Sequence, residues 1–112
     1  MSKSPKEYLK HILDETEYLL KSSAEIAEER FMRDETLQKA FTRSIEIIGE
    51  AVKNLPNDFI EANKSIDWKL IAGMRDRLIH HYFGVDYEIV WDVIKNEIPK
   101  LNSEISKMLE TL

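Results

Sequence analysis

The sequence contains no cysteine among its 112 residues. A disulfide framework, a thiol nucleophile and a cysteine-based metal site are therefore excluded. Only three glycines and three prolines are present, which leaves little room for long irregular segments. No apolar run approaches the roughly 18 residues of a membrane span, and the N-terminal stretch MSKSPKEYLK does not resemble a signal peptide. We expect a cytoplasmic protein with no membrane partner.

The composition is that of a globular protein, because 43% of the residues are hydrophobic and 33% are charged. A chain of this length fits one domain, which we expect to span residues 1–112. The formal net charge is −5 at pH 7, and the isoelectric point is near 5.2. This acidity argues against broad, nonspecific binding of nucleic acid, which requires a basic surface.

Residues 65–85 differ from the rest of the chain in their charge. Three cations (Lys69, Arg75 and Arg77) against two carboxylates (Asp67 and Asp76) give this segment a net charge of +1, so the other residues carry −6. The segment also contains two of the three histidines. It is therefore the candidate for contact with an anion.

Apolar residues at helical spacing predict two long helices in the first half of the chain. Ser4 is the expected N-cap of the first, with Pro5 at the first helical position and Glu7 completing a capping box. Pro56 is expected to end the second, since proline disfavours helical geometry in the residue before it. A loop or a short helical turn should separate the two. The apolar stripe of the second helix comprises Leu37, Ala40, Phe41, Ser44, Ile45, Ile48, Ala51, Val52 and Leu55.

The second half predicts a short helical turn and two further long helices. The third long helix should run from about Trp68 to His81, capped by Ser65 or Asp67, with Gly84 as its stop. The last should follow an N-cap at Asp86 and continue, with a kink, through Pro99. No segment alternates with a period of two, so we predict no strands. The expected fold is all-α: an up-and-down bundle of four long helices plus a short connecting helix.

The stretch MRDRLIHHYFGVD at residues 74–86 concentrates the residues suited to chemistry. On a regular helix Arg75 and His80 would lie about 140° apart, whereas Arg75 and Tyr82 would share a face. A second copy related by a two-fold axis could place one protomer's His80 beside the other's Arg75, which suggests a composite site in a homodimer. The alternative is a helix end with favourable cationic side chains and no function.

An arginine and a histidine together suit the cleavage of RNA. Histidine transfers protons near neutral pH, and the planar guanidinium of arginine binds phosphate oxygens. RNA supplies its own nucleophile in the 2′-hydroxyl. Adjacent His80 and His81 make a poor metal pair, since zinc ligands on a helix favour a spacing of three or four. We expect no metal and no cofactor.

The segment RDRLIHHY resembles the R-x4-H-x-Y signature of the HEPN superfamily in its HepT-like toxin branch. The segments YLKHILDETEYL, IEIIGEAVKNLP and IDWKLIAGMRDRLIHHYFGVDYEIVWDVIKNEIP extend the resemblance over nearly the whole chain. It implies an all-helical homodimer acting as a metal-independent ribonuclease toxin. It also implies an MntA-type nucleotidyltransferase antitoxin, which silences the toxin by attaching AMP to the motif tyrosine.

Carried over by position, the resemblance gives Arg75 a phosphate-stabilising role, His80 a proton-transfer role, and Tyr82 the modified position. The residue after the motif arginine is often asparagine in this family, whereas here it is Asp76. Asp76, Arg77 and His81 are supporting candidates for contact with RNA. Two other functions stay open: a non-catalytic nucleotide-binding or regulatory partner of a nucleotidyltransferase, and a plain dimeric scaffold.

Overall fold

The computed structural model describes residues 4–80, of which His80 by its backbone alone, and residues 84–112. Within these ranges the secondary structure is almost entirely helical, and the expected all-α fold is confirmed. The elements in chain order are α1 (Pro5–Ala24), α2 (Glu28–Phe31), α3 (Glu35–Lys53), α4 (Asn57–Ala62), α5 (Trp68–Ala72), α6 (Met74–Leu78), β1 (Ile79–His80), β2 (Gly84–Val85), α7 (Tyr87–Asn96) and α8 (Ile98–Glu110).

Three aspartates cap helices as acceptors of backbone hydrogen bonds. Asp34 accepts from the amide of Leu37 at 3.1 Å, and Asp67 accepts from the amide of Leu70 at 3.0 Å. Asp86 accepts from the first turn of α7. The predicted caps at Asp67 and Asp86 are thus confirmed. Helix α1 starts at Pro5 as expected, but the side chain of Ser4 makes no capping hydrogen bond, so the predicted capping box is not formed.

The core lies where α1 packs against α3 and α8, while α3 also packs against α5 and α6. An aromatic cluster joins the short helix α2 to this core. The ring of Phe31 stacks on Phe41 with centroids 5.3 Å apart, and it lies 5.3 Å from the ring of Trp91. The fully buried Phe31 therefore fixes α2, which at four residues is too short to be stable alone.

The third long helix predicted from the sequence is wrong in its extent. Residues 68–78 form two short helices separated at Gly73, and the backbone of Ile79 is extended at φ −103° and ψ 124°. Strands β1 and β2 then pair antiparallel, with Ile79 opposite Val85 and His80 opposite Gly84. The prediction of no strands is therefore wrong here, because two-residue strands are too short to produce an alternating pattern.

Gly84 does not act as the predicted helix stop, because it lies in β2, with a φ of +77° that favours glycine. The chain instead leaves α6 at Leu78, whose carbonyl accepts a hydrogen bond from the amide of Asp86 at 2.6 Å. This bond joins the end of α6 directly to the start of α7.

The last helix was expected to be continuous and kinked, whereas the structure divides it into α7 and α8 with Glu97 between them. Pro99 explains the break, because its ring lacks an N–H and clashes with the carbonyl four residues earlier in a continuous helix. It lies in the first turn of α8, where proline is tolerated. Among the described residues, no helix is both long and apolar enough to cross a membrane.

Replacing Phe31 with alanine tests the aromatic anchor of α2. We expect Phe31→Ala to lower the free energy of unfolding by about 3–5 kcal/mol, because a fully buried ring is lost and a cavity remains. Urea denaturation followed by circular dichroism measures this change. The matched control is Tyr18→Ala, whose ring is 39% exposed, with an expected loss of about 1 kcal/mol. Equal losses in the two variants would contradict the assignment.

Candidate active site

Arg75 lies on α6 with half of its side chain exposed. Its neighbours Met74 and Leu78 are fully buried. These two residues are four apart and share a face of the helical turn, so they turn Arg75 outward. The guanidinium is therefore accessible to a phosphate or to a second protein chain.

Two carboxylates lie near the guanidinium of Arg75. Oε2 of Glu46 is 3.6 Å from Nε, and Oδ1 of Asp76 is 3.9 Å from the terminal nitrogen. Neither distance is that of a hydrogen bond, and the side chain of Asp76 is 78% exposed. Exposed pairs of this kind contribute only about 0–1 kcal/mol each. The two carboxylates thus partly offset the charge of Arg75 without fixing its position firmly.

Glu46 is a site residue that the sequence analysis missed. It lies on α3, and its carboxylate is also 3.7 Å from Arg43, which in turn is 3.9 Å from Glu50. The segment IEIIGEA contains Glu46, but its apolar periodicity indicates only a core helix. Its approach to Arg75 depends on how α3 packs against α6, which no local pattern reveals.

Arg77 forms the strongest ion pair in this region. Its two terminal nitrogens donate to the two carboxylate oxygens of Glu97 at 3.0 and 2.9 Å. Such a parallel, bidentate pair is both stronger and more directional than a single contact. The hydrogen bonds to Glu97 raise the pKa of Arg77 above its ordinary value, so this side chain stays charged. Arg77, a candidate for RNA contact, is thus already engaged within the protomer.

His80 lies in β1, beyond the end of α6. The helical phase angles that related Arg75 to His80 and to Tyr82 assumed a helix continuing to residue 81, and that premise is wrong. Tyr82 and His81, proposed as the modified position and a supporting residue, lie outside the described residues. The structure therefore brings Arg75 together with Asp76 and Glu46, and directs Arg77 towards Glu97.

A surface cavity of about 240 Å³ lies beside Glu97. Its walls are largely apolar, with Leu70, Ile71 and Leu101 among the lining residues, and Lys100 also lines it. Arg75 does not line it. In the described part of the chain, no three histidine, aspartate or glutamate side chains cluster closely enough to hold a metal ion.

The fold is all-α, and Arg75 presents a half-exposed guanidinium at its surface. A family model described as "Ribonuclease HepT-like" matches residues 8–108. The chain therefore belongs to the HepT-like ribonuclease family of the HEPN superfamily, and the resemblance seen in its sequence is confirmed.

Individual relatives agree with this family. The chain is 52% identical over 108 residues to "Putative RNase TTE0752" of Caldanaerobacter subterraneus, covering 96% of each protein. It is 44% identical over 108 residues to "Probable ribonuclease HepT" of Thermococcus cleftensis, covering 96% of this chain and 98% of that one. No solved structure matches the chain significantly.

The cap of α7 offers a test of how the segment around β1 and β2 is held. We expect Asp86→Ala to lower the free energy of unfolding by about 1 kcal/mol, because two amides of the first turn lose their acceptor. It should also speed hydrogen exchange at the amide of residue 86, which bonds to Leu78. Asp34→Ala removes an equivalent cap from α3 and should cost similar stability without that local effect. Unchanged exchange in Asp86→Ala would contradict the prediction.

Proposed function

We propose that this protein is a metal-independent RNA endonuclease whose catalytic residues are Arg75 and His80. One observation carries the proposal: in a chain of a ribonuclease family, an arginine five residues before a histidine holds its guanidinium half exposed at the surface. Arginine suits the charge that develops on a phosphate during cleavage, and histidine suits proton transfer near neutral pH.

On this proposal the RNA 2′-oxygen attacks the neighbouring phosphorus while His80 transfers protons. The bond from phosphorus to the 5′-oxygen breaks, and that oxygen leaves with a proton as a 5′-hydroxyl. The other product carries a 2′,3′-cyclic phosphate, which hydrolysis converts to a 3′-phosphate. Arg75 stabilises the negative charge on the phosphate oxygens during the attack. DNA, which lacks the 2′-hydroxyl, cannot follow this route.

The proposal includes a homodimer in which the motifs of two protomers line one cleft. Its support is the family resemblance together with the exposure of Arg75. Within the protomer, two carboxylates lie near the guanidinium of Arg75, those of Glu46 and Asp76, and the nearby cation Arg43 shares Glu46 with it. Because both carboxylates offset the charge of Arg75, a second protomer that brings its own motif arginine to the cleft would add positive charge for a substrate phosphate.

The biological role proposed is that of a toxin, with an MntA-type nucleotidyltransferase as its antitoxin. The hydroxyl of Tyr82 loses its proton as its oxygen attacks the α-phosphorus of ATP; the bond from that phosphorus to the bridging oxygen breaks, so AMP becomes attached and pyrophosphate leaves. A phosphate two residues after His80 adds negative charge and bulk near the motif. RNA, itself an anion, would then be repelled and obstructed.

A second candidate function is a non-catalytic regulatory partner of a nucleotidyltransferase. The two carboxylates near Arg75 favour this alternative, because they reduce the local positive charge available to RNA. It predicts a protein that cleaves no RNA and is harmless when expressed without its partner.

The first test incubates purified protein with total RNA in excess EDTA. We expect cleavage by the wild type, with 2′,3′-cyclic or 3′-phosphate ends, and a loss of about 10²–10⁴-fold in Arg75→Ala and His80→Ala. The matched control is His11→Ala, which removes an exposed histidine of α1 and should cleave like the wild type.

Three outcomes of this test would contradict the proposal. Equal cleavage by the wild type and His80→Ala would indicate a contaminating nuclease. A product with a 3′-hydroxyl end would exclude attack by the 2′-oxygen. An absence of cleavage by folded, unmodified wild-type protein would favour the regulatory function.

The modification of Tyr82 is tested with the partner nucleotidyltransferase and ATP. We expect intact mass spectrometry to show AMP on the wild type and none on Tyr82→Phe, which lacks the attacking oxygen. Tyr18→Phe is the control, since it removes a partly exposed tyrosine far from the motif in the chain and should still be modified. Modification of Tyr82→Phe to the wild-type extent would place the acceptor elsewhere.

A further inference from the structure

The ion pair of Arg77 with Glu97 connects the short helix α6 to the break between α7 and α8. Arg77 lies on α6, which follows the break at Gly73 and ends one residue later at Leu78. Glu97 is the single residue between α7 and α8. The bidentate pair therefore ties the short helix that carries Arg75 to the junction that Pro99 creates.

Arg77 lies between the two motif residues in the chain, so its ion pair with Glu97 affects the positions of both. Arg75 lies on the same helix two residues before Arg77, and His80 lies on β1 three residues after it, so a shift of α6 would move both residues. A helix of five residues has little stability of its own. Its end is held by two fixed links: the hydrogen bond from Asp86 to Leu78 and the ion pair with Glu97.

We propose that Arg77 and Glu97 form a positioning pair, which sets the placement of α6 and β1 and hence the relation between Arg75 and His80. Neither residue touches the reacting atoms in this assignment. The inference rests on the proposed function, because the two residues being positioned are its catalytic residues.

The geometry favours positioning over direct contact of Arg77 with RNA. Both terminal nitrogens of Arg77 are committed to Glu97, and the side chain is less exposed than that of Arg75, at 37% against 50%. A phosphate could reach only the N–H groups that do not donate to Glu97, and the charge of the guanidinium is already paired with that carboxylate. Arg75, whose carboxylate neighbours lie at 3.6 Å or more, is the more available cation.

The two possible roles of Arg77, binding RNA or positioning α6, predict opposite results for Glu97→Ala. If Arg77 binds RNA, Glu97→Ala frees its guanidinium, so binding should strengthen and cleavage should not fall. If the pair positions α6, Glu97→Ala should impair cleavage as much as Arg77→Ala does. Arg77→Lys adds a second distinction, because lysine retains the charge for a phosphate but lacks the planar fork that engages Glu97.

The experiment uses an oligoribonucleotide containing a site cleaved in total RNA, with purified wild-type protein and the variants Arg77→Ala, Arg77→Lys, Glu97→Ala and Arg77→Ala/Glu97→Ala. We expect each single variant to lower kcat roughly tenfold or more, with KM nearly unchanged, because misplaced catalytic groups slow the chemical step. The double variant should be no slower than either single alanine variant. The control is Lys39→Ala, which breaks an exposed pair of 2.9 Å with Glu35 on α3 and should cleave normally.

Wild-type kcat in Glu97→Ala, or full activity in Arg77→Lys, would overturn the positioning pair. So would a fall of about one in the salt slope of RNA binding on Arg77→Ala, because that fall indicates a lost phosphate contact.

A readout independent of activity separates this proposal from the proposed function. Hydrogen exchange at the Asp86 amide reports on the end of α6, and we expect it to quicken in Glu97→Ala and not in Lys39→Ala. If the wild type cleaves no RNA, the proposed function fails while this exchange still tests the pair. Unchanged exchange in Glu97→Ala would show that the pair does not hold α6.

Discussion

The end of α6 at Leu78 is the constraint on which the candidate site depends. The side chain of Leu78 is fully buried, and its carbonyl accepts from the amide of Asp86. These two contacts stop the helix and return the chain to the start of α7, with β1 and β2 paired between them. His80 is consequently carried by a strand and Arg75 by a helix, so their relation is fixed by tertiary contacts and not by helical phase.

The charge distribution bears on how such a protein would select its substrate. A chain with a net charge of −5 repels RNA at long range, and the carboxylates of Glu46 and Asp76 reduce the positive charge around Arg75. Nonspecific electrostatic attraction therefore contributes little to binding. Recognition of RNA would then depend on a few close contacts at the site.

The sequence predicted several features of the fold that depend on local chemistry, although the predicted capping box at Ser4 is not formed. Apolar periodicity located α1 and α3, and the caps at Asp67 and Asp86 follow from the preference of aspartate side chains for free backbone amides. The end of α6 could not be predicted in this way, because the apolar and polar pattern continues past Leu78. The bond that ends the helix comes from a residue eight positions later.

The carboxylates that pair with Arg75 and Arg77 could not be predicted from the sequence either, because tertiary packing brings them together. Glu46 and Glu97 lie 29 and 20 residues away from the arginines that they contact, and only the packing of α6 against α3 and α7 brings them near. Sequence spacing identifies which residues are suited to chemistry. It does not identify the charges that surround them, and those charges determine which arginine is free to meet a phosphate.

The stability of the core and the exposure of the site have a common origin in the segment MRDRL. Met74 and Leu78 are fully buried at the two ends of one helical turn, and their burial supplies the stability that five residues of helix lack. The three charged residues between them must then face outward. Because Arg77 is drawn to Glu97 and Asp76 carries the opposite charge, Arg75 is the cation of this turn that is most available to an anion. The burial of Met74 and Leu78 therefore both stabilises α6 and leaves Arg75 exposed at its surface.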